Sequence, residues 1–219
     1  RFVRVSRSPI PTGIAKIDAK DILNGGLGKG EIGVITAPTG VGKSHMLVNL
    51  GCSALKAGFN VIHYTFELTE TGTGLRYDSN LCQIPSNEVQ DRKDEVIEFY
   101  KEQGEQLGKL MIKEYPTGTA TVQTLRSHIE KLSLKGFIPQ VLIIDYADIM
   151  RSSRQYDSMR HELKKVYEDL RNLAMEKSMP IWTASQSNRD SANSDIVGLE
   201  NMSESYGKAQ VADVVISIS

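Results

Sequence analysis

Near-continuous apolar runs alternate along this chain with longer stretches whose apolar residues return every three or four positions, so strands and helices are predicted in turn. The runs are Glu31–Ala37, Asn60–Phe66, Lys109–Lys113, Val141–Asp145, Ile181–Ser185 and Val211–Ser219. EIGVITA and VLIID carry apolar residues on consecutive positions rather than alternate ones, which marks strands covered on both faces. Helical spacing starts after Ser44 and stops at Gly58. It returns in the second part of Leu68–Ile84, and across Ser86–Gln103 with Val89, Val96, Ile97 and Tyr100 on one side. Thr121 is an expected N-cap for a helix through Val122, Leu125, Ile129 and Leu132 that Gly136 ends. Met159, Leu163, Val166, Leu170 and Leu173 form one further apolar stripe. Between Thr12 and Glu31 a short helical pattern of Ile14, Ile17 and Ile22 closes on Gly25 and Gly26, and this piece is expected to act as a lid or brace. Strands alternating with helices predict an α/β fold with a mainly parallel sheet and helices on both faces.

The loop between the first strand and its helix reads APTGVGKS, Ala37–Ser44. Strand, glycine loop and helix in this order form a P-loop, in which consecutive backbone N–H groups and a helix N-terminus converge on phosphate oxygens. Pro38, Thr39, Gly40, Val41, Gly42, Lys43 and Ser44 are thus the expected nucleotide-binding residues. Lys43 is expected at the β- and γ-phosphates and the Ser44 hydroxyl on Mg²⁺. The first motif position is Ala37, where the strict pattern asks for glycine.

A chain of 219 residues suits a single α/β domain over 1–219, with 1–30 as a lead-in and brace. Arg1–Pro11 is basic, carries two prolines and reads as the end of a linker, so a piece of a longer chain is expected. The 26 basic and 27 acidic residues leave a formal charge of −1, so no global field attracts nucleic acid and any such site must be local. Cys52 and Cys82 fall on separate predicted helices with no metal-binding spacing, and are expected to be reduced, packed thiols. No run approaches the roughly 18 apolar residues of a membrane span. The expectation is a soluble, cytoplasmic protein, or a phage-encoded one acting in its host's cytoplasm.

Three strand ends carry the remaining chemistry. Asp145 closes four apolar residues in the Walker B pattern and is expected to hold Mg²⁺ opposite Ser44. Glu67 ends the second strand, where a carboxylate takes a proton from an attacking water or orients it; Glu70 is its rival. Gln186 closes the TASQ strand, where a neutral amide reaches the γ-phosphate or the water and moves when that phosphate leaves. Ser187–Ser205 is polar and aperiodic, a long loop of the kind often used for function. Arg151, Arg154, Arg189 and Lys208, with Arg76 as a further candidate, are the basic residues placed to meet a phosphate backbone near the sheet edge. Trp182 lies inside a strand and is expected in the core rather than as a platform for bases.

Together these residues resemble the RecA-like ATPase superfamily, and within it the motor domain of DnaB-type replicative helicases. The resemblance rests on TGIAKID and NGGLGKGEI before the P-loop, YTFEL, LIIDYADIM, ASQSNR and SESYGKAQVADVVISI, and runs through nearly the whole chain. It implies Glu67 as the catalytic glutamate, Lys43 and Gln186 beside it, Asp145 as the Walker B aspartate, and DNA-facing loops after Asp145 and Gln186. It also implies ATP and Mg²⁺ as cofactors, single-stranded DNA as substrate, a homo-oligomeric ring, a hexamer, and a primase or loader as further partner. A RecA-type recombinase filament and a clock-protein-type signalling ATPase are the alternatives. Two departures stand out: Asp148 occupies a position where the family usually has glutamine, and the family's basic residues that reach a neighbouring subunit's phosphate correspond to sequence past Ser219. The resemblance implies a sheet order of Val211–Ser219, Glu31–Ala37, Ile181–Ser185, Val141–Asp145, Asn60–Phe66 and Lys109–Lys113.

Overall fold

The computed structural model describes residues 7–186 and 210–218. Strands β1 (Ile32–Ala37), β2 (Val61–Thr65), β3 (Leu110–Glu114), β4 (Val141–Asp145), β5 (Ile181–Gln186) and β6 (Val214–Ser217) form one sheet in the order β3-β2-β4-β5-β1-β6. Every pairing is parallel. This is the expected order, with β5 inserted between the P-loop strand and the Walker B strand. Register then aligns the strand ends: Ala37 opposite Gln186, and Thr65 opposite Asp145. A parallel sheet delivers all these ends to one carboxyl edge, where the crevice at a change of strand order collects ligands.

Helices α1 (Lys43–Lys56), α2 (Glu70–Cys82), α3 (Lys93–Gln103), α4 (Val122–Leu134) and α5 (Met159–Lys177) connect the strands. Two cores result, one on each face. Ile62, Tyr64, Ile144 and Ile181 pack with Leu125 and Ile129 of α4 and with Val166, Leu170 and Leu173 of α5. Ile35, Ile143 and Trp182 pack with Leu47 and Leu50 of α1 and Tyr77 and Leu81 of α2. Trp182 is only 3% exposed. Its ring lies so close to β1 that a side chain at Gly33 would approach it to 2.1 Å, so the indole occupies the space glycine leaves. Thr121 caps α4 in a reciprocal box with Thr124, as its position before the apolar stripe predicts.

Four expectations are corrected. Residues 12–26 form successive turns, not a helix, because the Asp18 carboxylate accepts from the Thr12 N–H, the Thr12 hydroxyl and the Gly13 N–H and folds the backbone around itself. As a brace this segment packs on the body of α1: Ser53 donates to the Pro11 carbonyl at 3.1 Å, and Ile10, Leu23 and Leu27 join the α1 core. The helix expected from Ser86 begins only at Lys93; residues 85–92 are turns that bury Val89, while Ile97 is 49% exposed. Met159 is likewise exposed, so the α5 stripe starts to be buried at Val166. The last strand is shorter than Val211–Ser219: Gln210 and Val211 are helical, and the Asp213 carboxylate accepts the Ile32 N–H at 2.8 Å before β6 begins.

Candidate nucleotide-binding site

At the carboxyl edge β1 ends at Ala37 and α1 begins at Lys43, with Gly42 as its N-cap in the left-handed region at φ 107°. Gly40 is also left-handed, at φ 84°, and neither glycine has any atom within 4 Å of where a side chain would stand. The loop therefore turns back over the helix N-terminus with its backbone open to the space above. Lys43 folds into this turn, donating to the carbonyls of Pro38 at 3.1 Å and Ala37 at 3.3 Å. Burial lowers its pKa below the usual lysine value, and the charges of Glu67, Asp145 and Asp148 offset part of that shift.

A cleft of about 260 Å³ opens over the loop, lined by Thr39, Gly40, Gly42, Lys43, Ser44 and His45, and walled by Glu67, Arg76, Tyr146 and Gln186. Pro38 and Val41 shape the loop without lining the cleft. Asp145 lies beneath its floor, 2% exposed, with one carboxylate oxygen, Oδ1, lacking any hydrogen-bond partner. Burial raises its pKa, opposed by the nearby Ser44 hydroxyl and by the charges of Arg76 and Lys43. A paired hydroxyl and carboxylate with an orphaned buried oxygen form a hard, all-oxygen donor set, which fits Mg²⁺ beside phosphate.

Glu67 and Glu70 are separated by the fold. The Thr65 hydroxyl turns the chain by bonding both Leu68 N–H and Leu68 carbonyl, which leaves Glu67 exposed on the cleft wall. Glu70 instead starts α2 and is bound to Lys113 at 3.0 Å and to the Glu114 N–H at 3.1 Å, away from the cleft. The Glu114 backbone bond, then Lys113, holds its pKa down. Gln186 reaches across from β5 to donate to the Thr39 hydroxyl at 2.6 Å, so the amide rests on the P-loop itself.

Sequence reasoning missed two wall residues. Tyr146 follows Asp145 and lines the cleft with Glu67; burial, then the charge of Glu67, pushes its hydroxyl up to about 12. Arg76 was expected near DNA, but the packing of α2 on α1 places it in the cleft. Only its position in the helix that follows Glu67 could have hinted at that. Arg151 and Arg154 are exposed on the segment between β4 and α5, outside the cleft, where the Arg151 N–H donates to the Ala120 carbonyl at 3.0 Å. Arg189 and Lys208, and the loop Ser187–Ser205, lie outside the described residues. Cys52 is buried and its thiol pushed up to about 12, and no group of three or more His, Cys, Asp and Glu placed to hold a metal ion by themselves occurs among the described residues. No helix among the described residues is long and apolar enough to cross a membrane.

Fold and loop together define a RecA-like P-loop domain. Residues 9–219 match the DnaB-like helicase C-terminal domain family, and the chain belongs to it. It is 32% identical over 207 residues to the DnaB-like replicative helicase of Enterobacteria phage T4, an alignment covering 90% of this chain and 43% of that protein. It is 25% identical to the replicative DNA helicase DnaB of Helicobacter pylori strain ATCC 700392 / 26695, covering 94% of this chain and 43% of the relative. The chain thus spans less than half the length of these curated relatives. Among solved structures the ATPase domain of G40P superposes with a TM-score of 0.82 at 17% identity, covering 96% of this chain and 76% of the other. A DnaB-like replicative helicase described with its primase interactions gives 0.80 at 16% identity, covering 95% and 51%. These two likenesses concern the fold.

Proposed function

We propose that this domain is the motor of a replicative DNA helicase, binding Mg·ATP in the cleft and coupling its hydrolysis to movement along single-stranded DNA. The observation that carries the reading lies beneath the floor of that cleft: the buried Asp145 carboxylate has an unpartnered oxygen and interacts with Ser44, Lys43 and Glu67 of the cleft lining. Bound Mg²⁺ would draw charge from the β- and γ-phosphate oxygens. Ser44 and Asp145 would hold it, and the backbone around Gly40 and Gly42 would hold the phosphates together with Lys43. Glu67 orients a water and takes its proton, with Tyr146 beside it on the cleft wall. Arg76 adds positive charge from within the same chain, and Gln186 leaves Thr39 to meet the γ-phosphate. Membership of the helicase family favours this over a recombinase or a signalling ATPase. We take the working form to be a homo-oligomeric ring, a hexamer, acting in the cytoplasm of a cell or a phage host, and the family membership supports this reading. A primase or loader contact is proposed in line with the relative solved for its primase interactions.

The test separates binding from turnover in the full-length protein. Lys43→Ala should abolish stabilisation by a nonhydrolysable ATP analogue. Glu67→Gln should bind that analogue normally while turnover falls by about 10² to 10⁴. Turnover at the wild-type rate in Glu67→Gln would remove Glu67 from the reaction.

A further inference from the structure

Asp148 stands in the short turn Ala147–Ile149 just past Asp145, and its two carboxylate oxygens face different elements. Oδ1 accepts from the Tyr167 hydroxyl of α5 at 2.8 Å. Oδ2 accepts from the Ser185 hydroxyl of β5 at 3.0 Å and from the backbone N–H of Gln186 at 3.4 Å. Tyr167 is fully buried and Ser185 is 1% exposed, so these are contacts made away from water. Three donors on two elements therefore close on one side chain that, ionised, offers only acceptors. A neighbouring tie, from the Ala147 N–H to the Thr183 hydroxyl and on to the Ile144 carbonyl, fixes the start of the same turn to β5 without charge.

The connection runs further in both directions. Gln186, whose N–H meets Asp148, rests its side-chain amide on Thr39 of the P-loop. On the other side, Arg151 and Arg154 follow Asp148 by three and six residues, on the exposed segment leading to α5. Asp148 also acts through space on Lys43, favouring its charged form.

We propose that Asp148 is a positioning residue: it sets the resting place of Gln186 and passes displacement of Gln186 to the segment bearing Arg151 and Arg154. The proposal rests on the reading of the cleft as an ATP-hydrolysing site. The 3.4 Å bond to the Gln186 N–H is the longest of the three. A shift at the end of β5 moves Ser185 and Gln186 together, and the shorter bond from Ser185 carries it to the carboxylate and so to the turn Ala147–Ile149. Asparagine with its amide nitrogen toward Tyr167 keeps the shape, since that hydroxyl can accept and donate to the Ala184 carbonyl at 3.5 Å instead, but it loses the charge that strengthens all three bonds.

The experiment uses the full-length protein carrying Asp148→Asn, with Ser185→Ala as a milder second variant. Binding of a nonhydrolysable ATP analogue, kcat without DNA and kcat with saturating single-stranded DNA are measured for each. Asp148→Asn should bind nucleotide as tightly as the wild type or more tightly, since a negative charge near Lys43 is gone. Its kcat should fall by about tenfold or more, the scale of a lost hydrogen bond to a charged group, and stimulation by DNA should largely vanish. Ser185→Ala should move kcat and DNA stimulation the same way by a smaller factor. A kcat and DNA stimulation within about twofold of wild type in Asp148→Asn would overturn the proposal. So would parallel loss of nucleotide affinity and kcat, the mark of a residue that merely supports the fold. Should Asp148→Asn not fold, unchanged kcat and DNA stimulation in Ser185→Ala would overturn it instead. A wild-type protein that hydrolyses no ATP overturns the reading of the cleft and this proposal with it, and is seen before any variant is made.

Discussion

Asp145 links stability to function in opposite directions, and Asp145→Asn measures both. In the ligand-free protein the carboxylate is 2% exposed, Oδ1 has no partner, and burial is the largest influence on its ionisation. An unsatisfied buried polar group costs about 1–3 kcal/mol, and more when charged. Asparagine keeps the shape and leaves its amide as unpartnered as Oδ1 is, but it removes the buried charge, so the ligand-free variant should gain about 1 kcal/mol at neutral pH. For a chain of this size that raises the thermal midpoint by about 2–4 °C. The same oxygen is the proposed metal ligand. Wild-type protein at a hundredfold excess of nonhydrolysable Mg-nucleotide over its Kd should gain about 2.7 kcal/mol, and the variant much less at the same concentration. Thermal melting of both proteins, with and without Mg²⁺ and analogue, gives the four midpoints required. A variant that melts below wild type without ligand, yet shows the full ligand-induced shift, would refute both halves of the reasoning: the carboxylate would then be neither a strained group nor a metal ligand.

Two further outcomes are expected. His63 is fully buried, and burial, then Arg76, holds its pKa at about 3, below the usual 6.5. Between those values the unfolded chain binds more protons than the native one, so stability is complete above the upper value and falls as the pH drops through the window, by about 1.4 kcal/mol per unit. His63→Leu should therefore lose less stability than wild type between pH 7 and pH 4.5, by about 2–3 kcal/mol in urea titrations, and parallel profiles would acquit His63. Replacing Arg151 and Arg154 by alanine should weaken single-strand binding and flatten its salt slope by about 0.7 for each phosphate no longer neutralised, with nucleotide affinity unchanged. An unaltered slope would take both residues out of the DNA path.

Much of this protein is written in local patterns. Apolar runs of the right length identified the strands, most sharply the four inner ones, β1, β2, β4 and β5, because a strand covered on both faces has no polar alternative to show, while the edge strands β3 and β6 are only half-buried. The P-loop was equally legible, since Gly40, Gly42, Lys43 and Ser44 act through a single turn whose partners are neighbours in the chain. Thr121 and its helix follow from the same local logic. What the sequence alone left open depends on residues far apart. Leu68 binds back to Thr65 and Lys113 captures Glu70, and these contacts decide that Glu67 rather than Glu70 faces the cleft. The packing of α2 on α1 decides that Arg76 joins it there. Residues 12–26 carry a helical spacing, yet one carboxylate, Asp18, bonds the backbone into turns, and no periodicity records such a bond. Asp148 read as a departure from a familiar pattern. Only the insertion of β5 between β1 and β4 brings Ser185, Gln186 and Tyr167 to it, because parallel strands distant in sequence become neighbours through crossovers rather than through local propensity.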